Sequence, residues 1–282
     1  MKKFLALTLS LALALSLAAC GGTPAPAPAS GASADPGAEP VELYVSAAAS
    51  LTEALNAVIE QYKAVAPNVT VVATYDSSGT LLTQIENGAD CDLFLSAAPK
   101  QMNALDPTSD AKGDGAAAID PATRVDLLEN KVVLAVPEGN PKDIKSFDQL
   151  AKLLRSGGVL LAMGNADVPV GQYTQKIFTY YGLDEAALAA SGVLTYGSNV
   201  KEVTAQVTEA TVDCGIVYAT DAFSAGLTAV DEATVDMCGQ VVYPVAMVEY
   251  SAHPDEAKAF LTYLQGPEAG AAFAAVGFTQ LG

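Results

Sequence analysis

Val41-Glu42-Leu43-Tyr44-Val45-Ser46 reads as a buried strand, and Leu51 to Val65 follows it as a helix. Leu51, Leu55, Val58, Ile59 and Tyr62 recur at helical spacing and define one apolar face. Val69-Thr70-Val71-Val72-Ala73-Thr74-Tyr75 then returns to a β-branched run. Strand, amphipathic helix and strand in close succession imply an α/β unit with a parallel pair.

The same alternation continues outward. Leu81–Glu86 reads as a helix, Asp92–Ser96 and Lys131–Val136 as strands, and Phe147–Leu154 as a helix. Val159–Met163, Val193–Tyr196 and Cys214–Ala219 read as strands, interleaved with helices at Gly171–Tyr181, Asp184–Ala190 and Val200–Thr211. A strand at Val241–Val248 precedes two helices, Pro254–Gln265 and Pro267–Val276. The fold class is therefore α/β, with mainly parallel sheets flanked by helices. Ligands of such sheets sit at the carboxyl ends of strands, so the strand-to-helix junctions are the places to search.

Upstream of Val41 the composition changes twice. Lys2 and Lys3 precede the apolar run Phe4–Leu17, which is shorter than the roughly 18 residues a membrane span needs. It ends in Leu17-Ala18-Ala19-Cys20, which resembles a bacterial lipobox. Residues 1–19 are expected to be a lipoprotein signal peptide and Cys20 the lipidated first residue of the mature chain. Residues 20–40 are rich in Pro, Ala and Gly, have little to pack, and read as a tether. The expectation is an extracytoplasmic module held at the cell membrane by its lipid.

The chain carries 14 basic and 32 acidic residues, a net charge of −18, which argues against a nucleic-acid partner. It has one histidine, His253, and no tryptophan. A two-histidine metal site or a serine–histidine nucleophile is thus poorly supported, while carboxylate or lysine chemistry stays open. His253, directly before Pro254, reads as a solvated turn residue. No catalytic residue, no resident cofactor and no metal ligand set stands out.

Four junctions are rich in neutral donors. Ser50 stands three residues before Glu53, the spacing of a capping box. Asp76-Ser77-Ser78-Gly79 places Ser78 at a helix start, with a glycine that admits close approach. Pro169 sets the turn before Val170-Gly171, and Asn199 and Glu202 are again spaced as a cap and its partner. Each helix start offers unpaired N–H groups at its positive end. Taken singly, each serine or asparagine is better explained as a cap than as a ligand contact.

In combination these segments resemble the molybdate-binding proteins of bacterial ABC importers. The resemblance runs through Tyr44-Val45-Ser46-Ala47-Ala48-Ala49-Ser50-Leu51-Thr52-Glu53-Ala54 and Ser77-Ser78-Gly79-Thr80-Leu81. It continues at Gly88–Ala97, Val168-Pro169-Val170-Gly171-Gln172-Tyr173, Gly215–Ala222, Tyr243–Ala246 and the ending around Pro267 and Phe278. It spans nearly all of Val41 to Thr279, in order. It implies a two-lobed type II solute-binding-protein fold with a hinge of two crossing segments, near Arg124–Pro137 and Val230–Pro244. Lobe one would combine residues 41–123 and 245–282, and lobe two would be 124–244.

The resemblance also implies a ligand set. Ser50 and Ser78 would each give a hydroxyl and an N–H, Val170 and Val200 an N–H only, and Tyr218 its hydroxyl. Some relatives have a third serine where this chain has Gly79, and some have Ala at Val170; neither change removes a donor. The implied cargo is molybdate or tungstate, and the implied partners are the permease and ATPase subunits of an ABC importer, served by a monomer. A receptor for sulfate or another tetrahedral oxyanion, a hydrolase using Ser78 or a carboxylate, and a structural lipoprotein remain as alternatives. Of the cysteines left after Cys20, Cys214 and Cys238 each follow an acidic stretch near a strand start and are the favoured disulfide pair. Three buried free thiols, Cys91 included, remain the alternative.

Overall fold

A computed structural model describes residues 39–113 and 118–281. The signal peptide, Cys20 and the tether up to residue 38 lie outside the described residues. The first elements in the chain are β1 (Val41–Ala48), α1 (Thr52–Tyr62), β2 (Val69–Asp76), α2 (Ser78–Glu86), β3 (Leu93–Leu95), α3 (Pro99–Leu105) and β4 (Val125–Asn130). The middle of the chain forms β5 (Val132–Val136), α4 (Phe147–Ser156), β6 (Leu161–Gly164), α5 (Pro169–Tyr180), α6 (Glu185–Ala190), β7 (Leu194–Gly197) and α7 (Val200–Thr208). It continues with β8 (Cys214–Tyr218), α8 (Ala219–Ser224), β9 (Thr228–Glu232) and α9 (Val235–Cys238). The chain then closes with β10 (Val241–Met247), α10 (Pro254–Leu264), α11 (Pro267–Ala275) and β11 (Thr279–Gln280).

Two sheets result, with strand orders β11-β4-β10-β3-β1-β2 and β7-β6-β8-β5-β9. The central β1 pairs in parallel with β2, Val41 opposite Val69 through Ala48 opposite Asp76, and with β3 on its other side. Flanked by two strands and covered by helices, β1 buries Leu43, Val45, Ala47 and Ala48. The stripe Leu51, Leu55, Val58, Ile59 and Tyr62 is buried, so α1 lies on its sheet by the face its spacing defines. In the other sheet, Ser146 caps α4 by accepting from Gln149 N–H, and Gly157 ends that helix in the left-handed region at φ 70°.

Both sheets are mixed, a departure from the mainly parallel pattern expected from the alternation. β10 runs antiparallel to β3 and β4, and β5 antiparallel to β8 and β9. The reason lies in how the chain changes sheets. A strand followed by its own helix ends at the shared edge between the sheets, whereas a strand arriving from the other sheet starts there. β5 and β10 are the two arrivals. β4 and β5 are separated only by Lys131, and α9 reaches β10 through Gly239-Gln240. The strands Val125–Asn130 and Val241–Met247, which an expected lobe two of 124–244 would include wholly or in part, pair in the six-stranded sheet with β1, β2 and β3.

Six short elements have no counterpart among those expected from the sequence: α3, β4, α8, the edge strand β9, α9 and β11. Charged residues Asp126 and Glu129 in β4, and Asp231 and Glu232 in β9, break their apolar patterns. A single large apolar cluster runs through both sheets, and a smaller one, with Leu81, Ile85, Phe94, Met102 and Cys91, lies under α2 and α3.

The Cys214–Cys238 disulfide is not formed; Cys91, Cys214 and Cys238 are all free and buried. Cys214 begins β8, opposite Leu161, while Tyr218 at the other end of β8 pairs with Val132 at the lobe crossing. Cys238 lies by that crossing, beyond Ala233, whose N–H donates to Val132 O. A five-residue strand therefore separates the two, roughly 13 Å at strand rise, against the less than about 7 Å between Cα atoms that a disulfide tolerates. Burial raises the thiol of Cys91 to about 11 and also raises those of Cys214 and Cys238, so all three behave as small apolar groups. Thiol titration of a denatured chain beginning after Cys20 should count three free thiols, and reductant should leave its melting temperature unchanged.

Candidate functional site

The edge where strands of both sheets end carries a small cavity. Its lining includes Ala48, Ala49 and Ser50 after β1, Asp76 to Ser78 after β2, and Ala97 after β3. From the other sheet come Val168 to Val170 after β6, Val200 after β7 and Tyr218 at the end of β8. Ser50, Ser78, Val170, Val200 and Tyr218, far apart in the chain, thus line one cavity, and all five are buried.

The local roles differ from the capping pattern in two places. Ser50 does not cap α1: it sits in a 3-10 turn, Ala49–Leu51, and its Oγ lies 2.9 Å from Tyr243 Oη. Glu53 does not close a capping box either, because its carboxylate accepts from Lys201 Nζ at 2.7 and 2.8 Å. At the second junction Ser77 is the cap, its Oγ accepting from Thr80 N–H at 3.1 Å. Ser78 is left at the first helical position, and its Oγ accepts from Ala97 N–H at 2.9 Å. The fourth junction follows the capping pattern: Asn199 Oδ1 accepts from Glu202 N–H, and the Glu202 carboxylate accepts from Ser198 N–H at 2.7 Å.

Freed from capping, Ser50 and Ser78 line the cavity together with the starts of three helices. Val200 and Ser78 are first residues of α7 and α2, and Val170 is the second residue of α5. N–H groups at these positions have no intrahelical acceptor, and three helix N-termini add partial positive charge. Among the lining residues the only charged side chain is Asp76, whose Oδ1 accepts from Ser77 N–H at 2.7 Å. The arrangement offers an anion neutral donors, and its lining includes no histidine: His253 stands before α10, away from the lining.

Behind the cavity lies a buried polar cluster that the sequence reading did not single out. Asn130, at the end of β4, donates through Nδ2 to Thr220 Oγ1 at 2.9 Å and to Tyr243 Oη at 3.2 Å. Its Oδ1 accepts from Lys131 N–H at 2.8 Å. The ring of Tyr218 meets that of Tyr243 edge-on at 5.6 Å, and its hydroxyl reaches Ala97 O at 3.5 Å. Burial drives the hydroxyls of Tyr218 and Tyr243 far above the usual phenol range, so both stay protonated and able to donate. A tyrosine inside the apolar run Val241–Met247 was the available signal, since a buried hydroxyl needs a partner.

Further contacts join the lobes beside the cavity. Lys201 of α7 bridges Glu53 of α1 at 2.7 Å and Asp221 of α8 at 3.1 Å. Gly79, the second residue of α2, lies against the backbone of Asp167 in the other lobe, where a Cβ would come 2.3 Å from the carbonyl oxygen. Asp221 is fully buried, with the Lys201 ammonium 3.1 Å from its Oδ1. Burial raises its carboxyl to about 6, against the opposing pull of Lys201.

Residues 43–279 match the family described as bacterial extracellular solute-binding protein. The chain belongs to that family. Among curated relatives of this solute-binding protein, the molybdate-binding protein ModA of Escherichia coli (strain K12) is 38% identical over 253 residues, covering 88% of this chain and 91% of ModA. YvgL of Bacillus subtilis (strain 168), named as a candidate ABC transporter substrate-binding lipoprotein, is 35% identical over 250 residues, covering 88% of this chain and 90% of YvgL. Among solved structures, the periplasmic molybdate-binding protein of Azotobacter vinelandii superposes with a TM-score of 0.71 at 23% identity, covering 85% of this chain and all of the other, and shares the fold. Solute-binding proteins of this family work outside the cytoplasm and are not enzymes, which sets aside the hydrolase alternative. Among the described residues no helix is long and apolar enough to cross a membrane.

Two outcomes are expected. Gly79→Ala should weaken ligand binding while leaving the apo melting temperature nearly unchanged, because opened lobes relieve the clash with Asp167. For Asp221 the folded-state pKa lies above the unfolded value of about 3.9, so the native state holds the extra proton and stability falls as pH rises from about 4 to 6. Asp221→Asn should flatten that part of the stability–pH curve relative to wild type, as read by chemical denaturation.

Proposed function

We propose that this solute-binding protein captures molybdate, or tungstate, and delivers it to the permease of an ABC importer driven by its ATPase subunits. The observation that carries the reading is the cavity in which Ser50, Ser78, Val170, Val200 and Tyr218 converge without a cationic side chain among the lining residues. The identity to ModA over most of both chains supports the choice of oxyanion.

A tetrahedral dianion presents four acceptors and no donor. Here it meets the hydroxyls of Ser50, Ser78 and Tyr218 and the N–H groups of Val170 and Val200, with helix starts aimed from both lobes. Fixed neutral dipoles avoid the cost of desolvating an ammonium or guanidinium in the same space. Residues from both sheets are needed at once, so the ion is held only when the lobes are together, through crossings at Lys131 and Gly239-Gln240 that act as the hinge. The ion is cargo, and no resident cofactor is involved. Size, set in part by Val170 and Val200, separates it from sulfate. The chain acts as a monomer, and lipidated Cys20 with its tether keeps the receptor beside the permease.

Molybdate and tungstate should raise the melting temperature at micromolar concentration, and sulfate at the same concentration should do little. At a hundredfold excess over the dissociation constant the stabilisation is about 2.7 kcal/mol. Ser50→Ala, Ser78→Ala and Tyr218→Phe should each weaken molybdate binding by about 1.5–3 kcal/mol, the worth of a hydrogen bond to a charged group. Unchanged affinity in all three would refute the assignment.

A further inference from the structure

A serine serves a dianion only while its own proton points at the ion, so the groups behind each serine matter as much as the serine. Ser78 Oγ is filled from behind by Ala97 N–H, which can only donate. For Ser50 the same outcome is reached through two further side chains. Lys131 N–H is also donor-only, and it lies 2.8 Å from one end of the Asn130 amide, so that end is Oδ1. The Nδ2 end therefore faces Thr220 Oγ1 and Tyr243 Oη and donates to both. Tyr243, having accepted from Asn130, has its own proton to place. Beyond the Asn130 amide, Ser50 Oγ at 2.9 Å is the group that Tyr243 Oη meets within hydrogen-bond distance. Ser50 accepts that proton and is left with its own to give to the cavity.

We infer that Asn130 and Tyr243 are positioning residues that fix the direction of the Ser50 proton and thereby select oxyanions carrying no proton of their own. The inference rests on the reading of the cavity as an oxyanion site. An ion such as hydrogen phosphate that turned its O–H toward Ser50 would leave the Ser50 proton buried without an acceptor, which is the costly arrangement. Lys131 N–H thus fixes the polarity of a relay of three side chains that starts at the lobe crossing and ends at the ion.

Asn130→Asp tests the direction. In mildly alkaline buffer the ionised carboxylate introduced by this substitution keeps the Lys131 N–H on one oxygen and takes the Tyr243 proton on the other. Tyr243 then accepts from Ser50, and Ser50 shows a lone pair to the cavity. Calorimetry with molybdate and with hydrogen phosphate, on wild type, N130D, Y243F and the double variant, reads the ratio of the two affinities. N130D should lower the molybdate-to-phosphate ratio about tenfold or more, Y243F less, and adding N130D to Y243F should change the ratio no further. Both ions are dianions, so a simple effect of buried charge or of loosened packing moves both affinities and leaves the ratio. An unmoved ratio in N130D, or an equal drop in the Y243F background, overturns the relay. If N130D melts below the assay temperature, Asn130→Leu replaces it: Tyr243 becomes free to turn either way, and the ratio should fall about threefold, only when Tyr243 is present. A wild-type protein that binds no oxyanion overturns the reading of the site itself, whereas binding with unmoved ratios overturns the relay alone.

Discussion

Strand direction is the constraint on which this molecule is built. β1, β2 and β3 of one sheet, and β6, β7 and β8 of the other, end at the same shared edge, so the turns and helix starts that follow them meet there. The chain can change sheets only by starting a strand at that edge, which forces β5 and β10 to run against their neighbours. The two crossings therefore pass directly behind the cavity. Asn130 and Tyr243, the buried polar residues of that region, belong to β4 and β10, the strands that border them.

That placement answers an electrostatic problem. The chain is strongly acidic, yet the cavity is suited to an anion. Charges farther than about 8 Å are largely screened at physiological salt, so the surface excess matters less than the near field. In that near field the cation is Lys201, whose second helical position in α7 puts it next to Val200 but outside the lining, tied to Glu53 and Asp221. Burial works against its charge, but the two carboxylates outweigh that and hold the ammonium above its ordinary range. A salt bridge joins the lobes while the binding itself is left to neutral dipoles. Buried hydroxyls do this work only if their protons are ordered, and here donor-only backbone N–H groups of Ala97 and Lys131 do the ordering.

Much of this was legible in the chain alone. Apolar periodicity marks most helices and central strands because burial of one face is a local, repeating demand, as in Leu51, Leu55, Val58, Ile59 and Tyr62. The ordered series of donor-rich junctions, from Ser50 to Tyr218, is likewise a property of sequence, because each strand-to-helix turn is built from neighbours. Edge strands such as β9, half exposed and acidic, carry no such demand and leave no such mark.

What only the tertiary structure decided involves partners distant in the chain. Ser50 and Glu53 have the spacing of a capping box, but Ser50 turns to Tyr243 and Glu53 to Lys201, each more than a hundred residues away. Cys214 and Cys238 look paired by their local context, yet one begins β8, the other ends α9, and both are free. Mixed rather than parallel sheets, and the change of sheet at Lys131, follow from where the chain crosses, which no local pattern encodes. Local sequence sets backbone preference and which face is apolar; a hydroxyl or carboxylate is satisfied by whichever donor the fold delivers, and only the assembled sheets determine which one arrives.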